Sequence, residues 1–189
     1  MTVDSQKRTV TAATSHPAYD PNNDQYDLQL YLLDEPVADL SVTTLSLSAD
    51  KSLPSEGTSL TVMGIGQPNA ESGELVYDSD SLYNFEISVS NFEECQASWS
   101  RNKLELKEDA MFCAGSEDTE LSCRGNSGGP IVLREGEKHI QVGVVSFGGP
   151  ECTKTSEYNI VYARTSAGME WIEGVVCDDW QVEADFCNK

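Results

Sequence analysis

The octet Cys123-Arg124-Gly125-Asn126-Ser127-Gly128-Gly129-Pro130 constrains this chain more than any other stretch. Glycines on both sides of one serine call for a tight turn, because glycine enters left-handed backbone at little steric cost. Ile131-Val132-Leu133 follows directly and reads as a strand. Such a turn leaves main-chain N–H groups free to converge. A serine hydroxyl beside converging N–H donors can attack a carbonyl and hold the oxyanion that forms. A bare Ser-Gly-Gly would be a hairpin turn and nothing more. The flanking cysteine and proline make the octet a nucleophile turn.

The strands that could carry this turn recur along the chain. Leu28–Leu33 is apolar enough for a buried strand, and Leu60–Ile65 follows the turn-like Pro54-Ser55-Glu56-Gly57. Phe85–Val89 alternates with period two, as a half-buried strand does. Ile140–Phe147 and Val161–Ala163 complete the series. The pattern predicts an antiparallel all-β barrel or sandwich. Only the end reads as helical: Ser166 can cap an N-terminus, and Met169, Ile172 and Val176 recur at helical spacing. The Ser-, Asp-, Pro- and Thr-rich stretch from Asp34 to Gly57 is the candidate linker between two halves.

The 189 residues suit one domain or two small halves, enough to bury a core. The net charge of −20 argues against nucleic acid or an anionic membrane as partner. No apolar run approaches a membrane span. Six cysteines point to an oxidising compartment, although spacing alone leaves 15 pairings open. A zinc site lacks Cys-x-x-Cys pairs and a nearby histidine, so no metal is assigned. Asp78-Ser79-Asp80 reads as a solvated loop rather than a calcium site. The polar opening Met1–Arg8 contains no apolar signal core and looks like the middle of a domain. The expectation is a secreted protein whose signal peptide lies upstream of Met1.

From about Val10 to Val176 the chain resembles the chymotrypsin/trypsin-like serine proteases. The family's Gly-Asp-Ser-Gly-Gly-Pro turn is matched by Gly125 to Pro130, with Asn126 in the Asp place. Met111-Phe112-Cys113-Ala114-Gly115 resembles the family strand entering that loop. Ser146-Phe147-Gly148 resembles the edge that pairs with substrate backbone. Val161–Arg164 with Trp171-Ile172 resembles the last strand and terminal helix, and His16-Pro17-Ala18-Tyr19 with Asp27–Leu32 resembles the His-Pro loop and Asp-bearing strand. The resemblance implies an all-β, trypsin-like double β-barrel with an incomplete first barrel, plus a C-terminal helix. It divides the chain into a first-barrel remnant (1–45), linker and second barrel (46–165), helix (166–176) and acidic tail (177–189).

The same resemblance implies the site. Ser127 is the nucleophile, the N–H groups of Gly125 and Ser127 form the oxyanion hole, and Asp27 is the orienting carboxylate. Leu121, Arg124, Ser146, Phe147, Gly148 and Ile160 fall at substrate-binding positions. Cys123–Cys152 would shape the specificity pocket, Cys95–Cys113 would close the loop before it, and Cys177–Cys187 would pin the tail. Implied partners are protein or peptide substrates and proteinaceous inhibitors, with no cofactor and a monomeric state.

Three departures matter. Neither histidine fits the family base: His16 lies in the His-Pro loop, 11 residues before Asp27, and His139 reads as an exposed loop residue. Without a base a serine is a poor nucleophile, and loss of a triad member costs on the order of 10⁴–10⁶ in turnover. The chain is therefore expected to be inactive alone, either as part of a longer active protease or as a catalytically dead binding module. Asn126 cannot make the ion pair that activates trypsin-like zymogens. Leu121 replaces the pocket aspartate, and Ile160 stands where a glycine often lines the pocket. Both favour small or medium apolar residues over Arg or Lys.

Overall fold

Alternation with period two builds the molecule, because each strand must turn one row of side chains to a common interior. A computed structural model of the protein describes residues 7–37, 44–68, 75–77, 82–116, 126–148 and 160–187. In chain order the strands are β1 (Val10–Ser15), β2 (Gln29–Leu33), β3 (Ser46–Leu47), β4 (Ser59–Gly64), β5 (Gly66–Pro68), β6 (Leu75–Tyr77) and β7 (Tyr83–Val89). Helix α1 (Phe92–Ser100) follows, then β8 (Met111–Gly115), β9 (Pro130–Glu135), β10 (Lys138–Phe147), β11 (Ile160–Arg164) and helix α2 (Thr165–Glu173). A π-helical turn, Gly174–Asp179, extends α2.

Six strands close into a barrel in the order β11-β8-β7-β4-β9-β10, with β10 pairing back onto β11. Closure removes the free edges that an open sheet would expose. Leu60, Val62, Ile87, Phe112, Ile131, Val142 and Tyr162 fill its interior. Burying an aliphatic or aromatic side chain of this kind contributes about 1.5–3 kcal/mol. Strands β8 and β11 are buried on both faces: Phe112, Ala114, Ile160 and Tyr162 point in, while Met111, Cys113 and Val161 pack outward on Trp99 and Leu106. The outward cluster is sealed by the Cys95–Cys113 bridge, as the resemblance implied. Cys177–Cys187 is likewise formed. The Cys123–Cys152 pair lies outside the described residues, as does Asp78-Ser79-Asp80.

The fold is the expected all-β, trypsin-like barrel with a C-terminal helix, and the structure corrects three sequence expectations. Helix is not confined to the C-terminal end: α1 covers the outside of the barrel, burying Cys95, Ser98 and Trp99, and Asn91 caps it by accepting from the Glu94 N–H. Ser166 is not the cap of α2. The cap position is Arg164, which makes no side-chain capping bond, and Ser166 is buried within the first turn. Strand β2 is not buried. Among the described residues it pairs only with β1, neither strand contains a fully buried residue, and Tyr31 is 57% exposed. A strand is buried by what packs on its faces, and this two-stranded ribbon has no facing sheet among the described residues.

The far end of the stretch read as a linker belongs to the barrel. Ser46 and Leu47 run parallel along β10, Leu53 packs on the core, and Pro54 is buried.

Candidate active site

The serine turn is held from three directions. The Gly128 N–H donates to the Val145 carbonyl at 2.9 Å, and the Val145 N–H donates back to the Gly129 carbonyl at 2.9 Å. Within the turn, the Gly129 N–H donates to the Asn126 carbonyl at 2.8 Å. Gly128 has φ +81°, left-handed backbone that strains any residue with a Cβ. Ser127 at the crest is exposed, whereas Asn126 beside it is only 1% exposed. The Asn126 side chain lies against Gly64 of β4, where an added Cβ would fall 2.0 Å from its Oδ1. The missing side chain at Gly64 makes room for the buried amide, and the amide anchors the turn.

Asp27 and Ser146 meet although 119 residues separate them. The Ser146 hydroxyl donates to Asp27 Oδ2 at 2.7 Å. Strand β10 makes this possible. Its pairing with β11 slips between Val145 and Phe147, so Ser146 is the extra residue of a bulge. Bulges re-aim side chains in this way and favour site margins. The next residue, Phe147, is propped from behind by Trp99, whose ring meets it edge-on at 5.0 Å. Ile160 is buried and comes within 3.2 Å of a Cβ built on Gly148. The sequence-predicted residues Asp27, Ser127, Ser146, Phe147, Gly148 and Ile160 are thus all carried by the described fold. Leu121, Arg124 and Gly125 lie outside it, so the second oxyanion-hole donor has no described geometry.

Neither histidine is tied to Asp27 or Ser127 by a described hydrogen bond. His16 is built into its own loop. Its N–H donates to the Leu28 carbonyl at 2.9 Å, and its Nδ1 accepts the Ala18 N–H at 3.2 Å. Its ring stacks on Tyr26 at 4.6 Å and meets Trp171 of α2 edge-on at 5.0 Å. Partial burial holds its pKa below the ordinary histidine value, favouring the neutral ring. His139 is an exposed residue near the start of β10, paired opposite Arg134, so it belongs to a strand rather than a loop.

Sequence reading missed the anchoring role of Asn126, which no motif spacing reports, and the backing of Phe147 by Trp99. The glycine that ends β4, Gly64, was the available signal for the first, since a lone strand glycine often marks close approach.

The fold and family are shared with known proteins. The family described as Trypsin matches residues 2–172. Mannan-binding lectin serine protease 1 of Mus musculus is 32% identical over 175 residues, 91% of this chain and 24% of that protein. Glucanase inhibitor protein 1 of Phytophthora sojae is 28% identical over 176 residues, 92% of this chain and 62% of that protein. The chain thus spans about a quarter of the first relative's length and under two thirds of the second's. In fold, it is similar to neuropsin, a serine protease of mouse brain, with a TM-score of 0.75 at 24% identity, covering 90% of this chain and 72% of that one. With the family matched across nearly the whole sequence, the chain belongs to the trypsin family.

Proposed function

We propose that the chain is the nucleophile-bearing part of an extracellular serine endopeptidase domain and lacks, within its own 189 residues, the base that would make it turn over. Ser127 is the nucleophile, the Ser127 and Gly125 N–H groups receive the oxyanion, and Asp27 orients the imidazole. The Asp27–Ser146 bond carries this reading, because it sets the carboxylate against the strand that pairs with substrate. Peptide attack then needs an imidazole from polypeptide outside these residues, entering beside Asp27. Ile160 makes the specificity pocket shallow and Leu121 brings it no negative charge, which favours small or medium apolar side chains over Arg or Lys. Residues 1–45 are the first-barrel remnant and 46–165 the linker and second barrel, with protein or peptide substrates as partners.

A second reading is favoured by one observation. A relative aligned over 92% of the chain is named an inhibitor of a glucanase rather than a protease. In that reading the same surface binds a protein without cleaving it. Incubation with a fluorophosphonate probe and mass spectrometry separates the claims. The expected result is no adduct on Ser127 in this chain, and adduct formation in a longer form that contributes a histidine. Labelling of the 189-residue chain at Ser127 refutes its inactivity. No labelling of a longer, histidine-bearing form favours the binding module.

A further inference from the structure

The β1–β2 ribbon has two open edges, and they differ. In an antiparallel pair the main-chain groups of alternate residues point to the partner strand, and those between point away. The His16 N–H donates to the Leu28 carbonyl at 2.9 Å, and the Asp34 N–H donates to the Thr9 carbonyl at 2.9 Å, so the even-numbered residues of β2 face β1. Gln29, Tyr31 and Leu33 therefore turn their N–H and C=O groups to the far side, where no strand is paired among the described residues. On β1, Ala13 and Ser15 turn theirs outward in the same way.

Proteins guard free edges with charge, proline or a bulge. β1 is bulged, with Thr11 the extra residue between Val10 and Ala12. β2 carries none of these devices: Leu28–Leu33 holds no charge and no proline in a chain that is 23% charged. The surface around it is apolar as well. Of the eight exposed large hydrophobic residues among the described ones, Val10, Tyr19, Tyr31, Leu33 and Val37 lie in the ribbon, its connecting loop or the residues just after it. Apolar side chains gathered in this way on a surface mark an interaction site.

We infer that the open edge of β2 pairs with β2 of a second copy of this chain, giving a twofold dimer joined by a four-stranded sheet, β1-β2-β2-β1. The strand is its own complement. Centred on Tyr31, antiparallel pairing sets Tyr31 against Tyr31, Gln29 against Leu33 and Leu30 against Leu32. All three outward-facing residues then bond, and the leucines of both copies form one apolar row across the junction. Two strands alone are marginal, whereas three or more with an apolar face hold. The pairing uses the same edge of both copies and leaves outward only the bulged edges of β1, so assembly closes at two. Charge opposes it: beyond the ladder Asp27 comes opposite Glu35 of the second copy, and each chain carries a net −20. Association must therefore tighten as salt screens these charges. The dimer departs from the monomeric state that the family resemblance implies and does not depend on whether Ser127 reacts.

The test is sedimentation equilibrium of the 189-residue chain across the micromolar range. The expected result is a reversible monomer–dimer equilibrium that levels off at two copies and shifts toward dimer with added salt. Tyr31→Pro deletes a donor on the open edge and no bond to β1, and should weaken the dimer by about tenfold or more. Ala13→Pro makes the same lesion on the open edge of β1 and should change Kd by less than about twofold. Hydrogen exchange gives a readout without substitution: the Gln29, Tyr31 and Leu33 amides should gain protection as concentration rises, and those of Ala13 and Ser15 should not. A monomer throughout, assembly past two copies, a dimer weakened by salt, equal loss in the two variants, or protection gained on β1 instead each overturns the inference.

Discussion

Replacing Gly64 with alanine tests how the nucleophile turn is held. The new Cβ would lie 2.0 Å from Asn126 Oδ1 and 2.5 Å from its Cγ, far inside the 3.4 Å at which ordinary contact begins. The amide cannot step aside cheaply, because Asn126 is only 1% exposed and its own carbonyl is held by Gly129. The strain must pass into the turn or into β4. Overpacking of this kind costs about 1–3 kcal/mol, and the upper half of that range is expected where both partners are hemmed in. Urea unfolding should show the loss as a lowered midpoint at unchanged slope. Gly174→Ala is the internal control. It lies in helical backbone with nothing within 4 Å of the place its Cβ would take, so alanine should stabilise by about 0.5–1 kcal/mol. A Gly64→Ala midpoint equal to that of the unsubstituted protein would sink the claim that the buried amide anchors the turn.

Three further outcomes follow from the geometry. A double-mutant cycle of Asp27→Asn and Ser146→Ala should give a coupling of about 1.5 kcal/mol, low in the range for hydrogen bonds to charged groups because both residues are partly solvated; a coupling near zero counts against the bond. Cys95→Ala/Cys113→Ala should lower stability by about 3 kcal/mol in urea, since the bridge closes 18 residues; no change would show the cluster around Trp99 to be self-sufficient. For His16, burial lowers the folded pKa, so the unfolded chain takes up the proton first as pH falls. Its contribution is complete above about pH 6.5 and is lost as pH drops below that. The stability difference between the protein and His16→Gln should therefore shrink from pH 7.5 to pH 5; a constant or growing difference refutes this sign.

The barrel strands were legible in two ways: β7, half-buried, leaves period two in the sequence, whereas β8, β9 and β11, buried over consecutive residues, leave short apolar runs. Helix α1 was not. Its buried residues are few, Cys95, Ser98 and Trp99, and its exposed residues, Glu93, Glu94, Ala97 and Ser100, resemble a loop. The capping signature Asn91-x-x-Glu94 was present and would have located its start. Burial of β2 was misjudged because Leu28–Leu33 reports apolarity, whereas burial depends on which sheets pack against it. Within the site, Ser127 was legible from a local motif. The meeting of Asp27 with Ser146 has no local signal at all. The resemblance singled out each residue but not their meeting, because a bulge in β10 decides where the hydroxyl points.

The β1–β2 ribbon has a consequence for when a site can exist at all. With no fully buried side chain in either strand, its amides belong to the least protected class in hydrogen exchange, opening without disturbing the closed barrel. The serine turn is welded to that barrel, while Asp27 arrives on the loop feeding the ribbon. That loop is itself fastened to the barrel, by Ser146 on Asp27, by Gln25 on the Glu105 carbonyl and by Tyr26 against the cluster around Trp99. Exchange should therefore slow along the chain from the far end of the ribbon toward Asp27, with the boundary between easily opened and barrel-bound backbone falling at the loop itself.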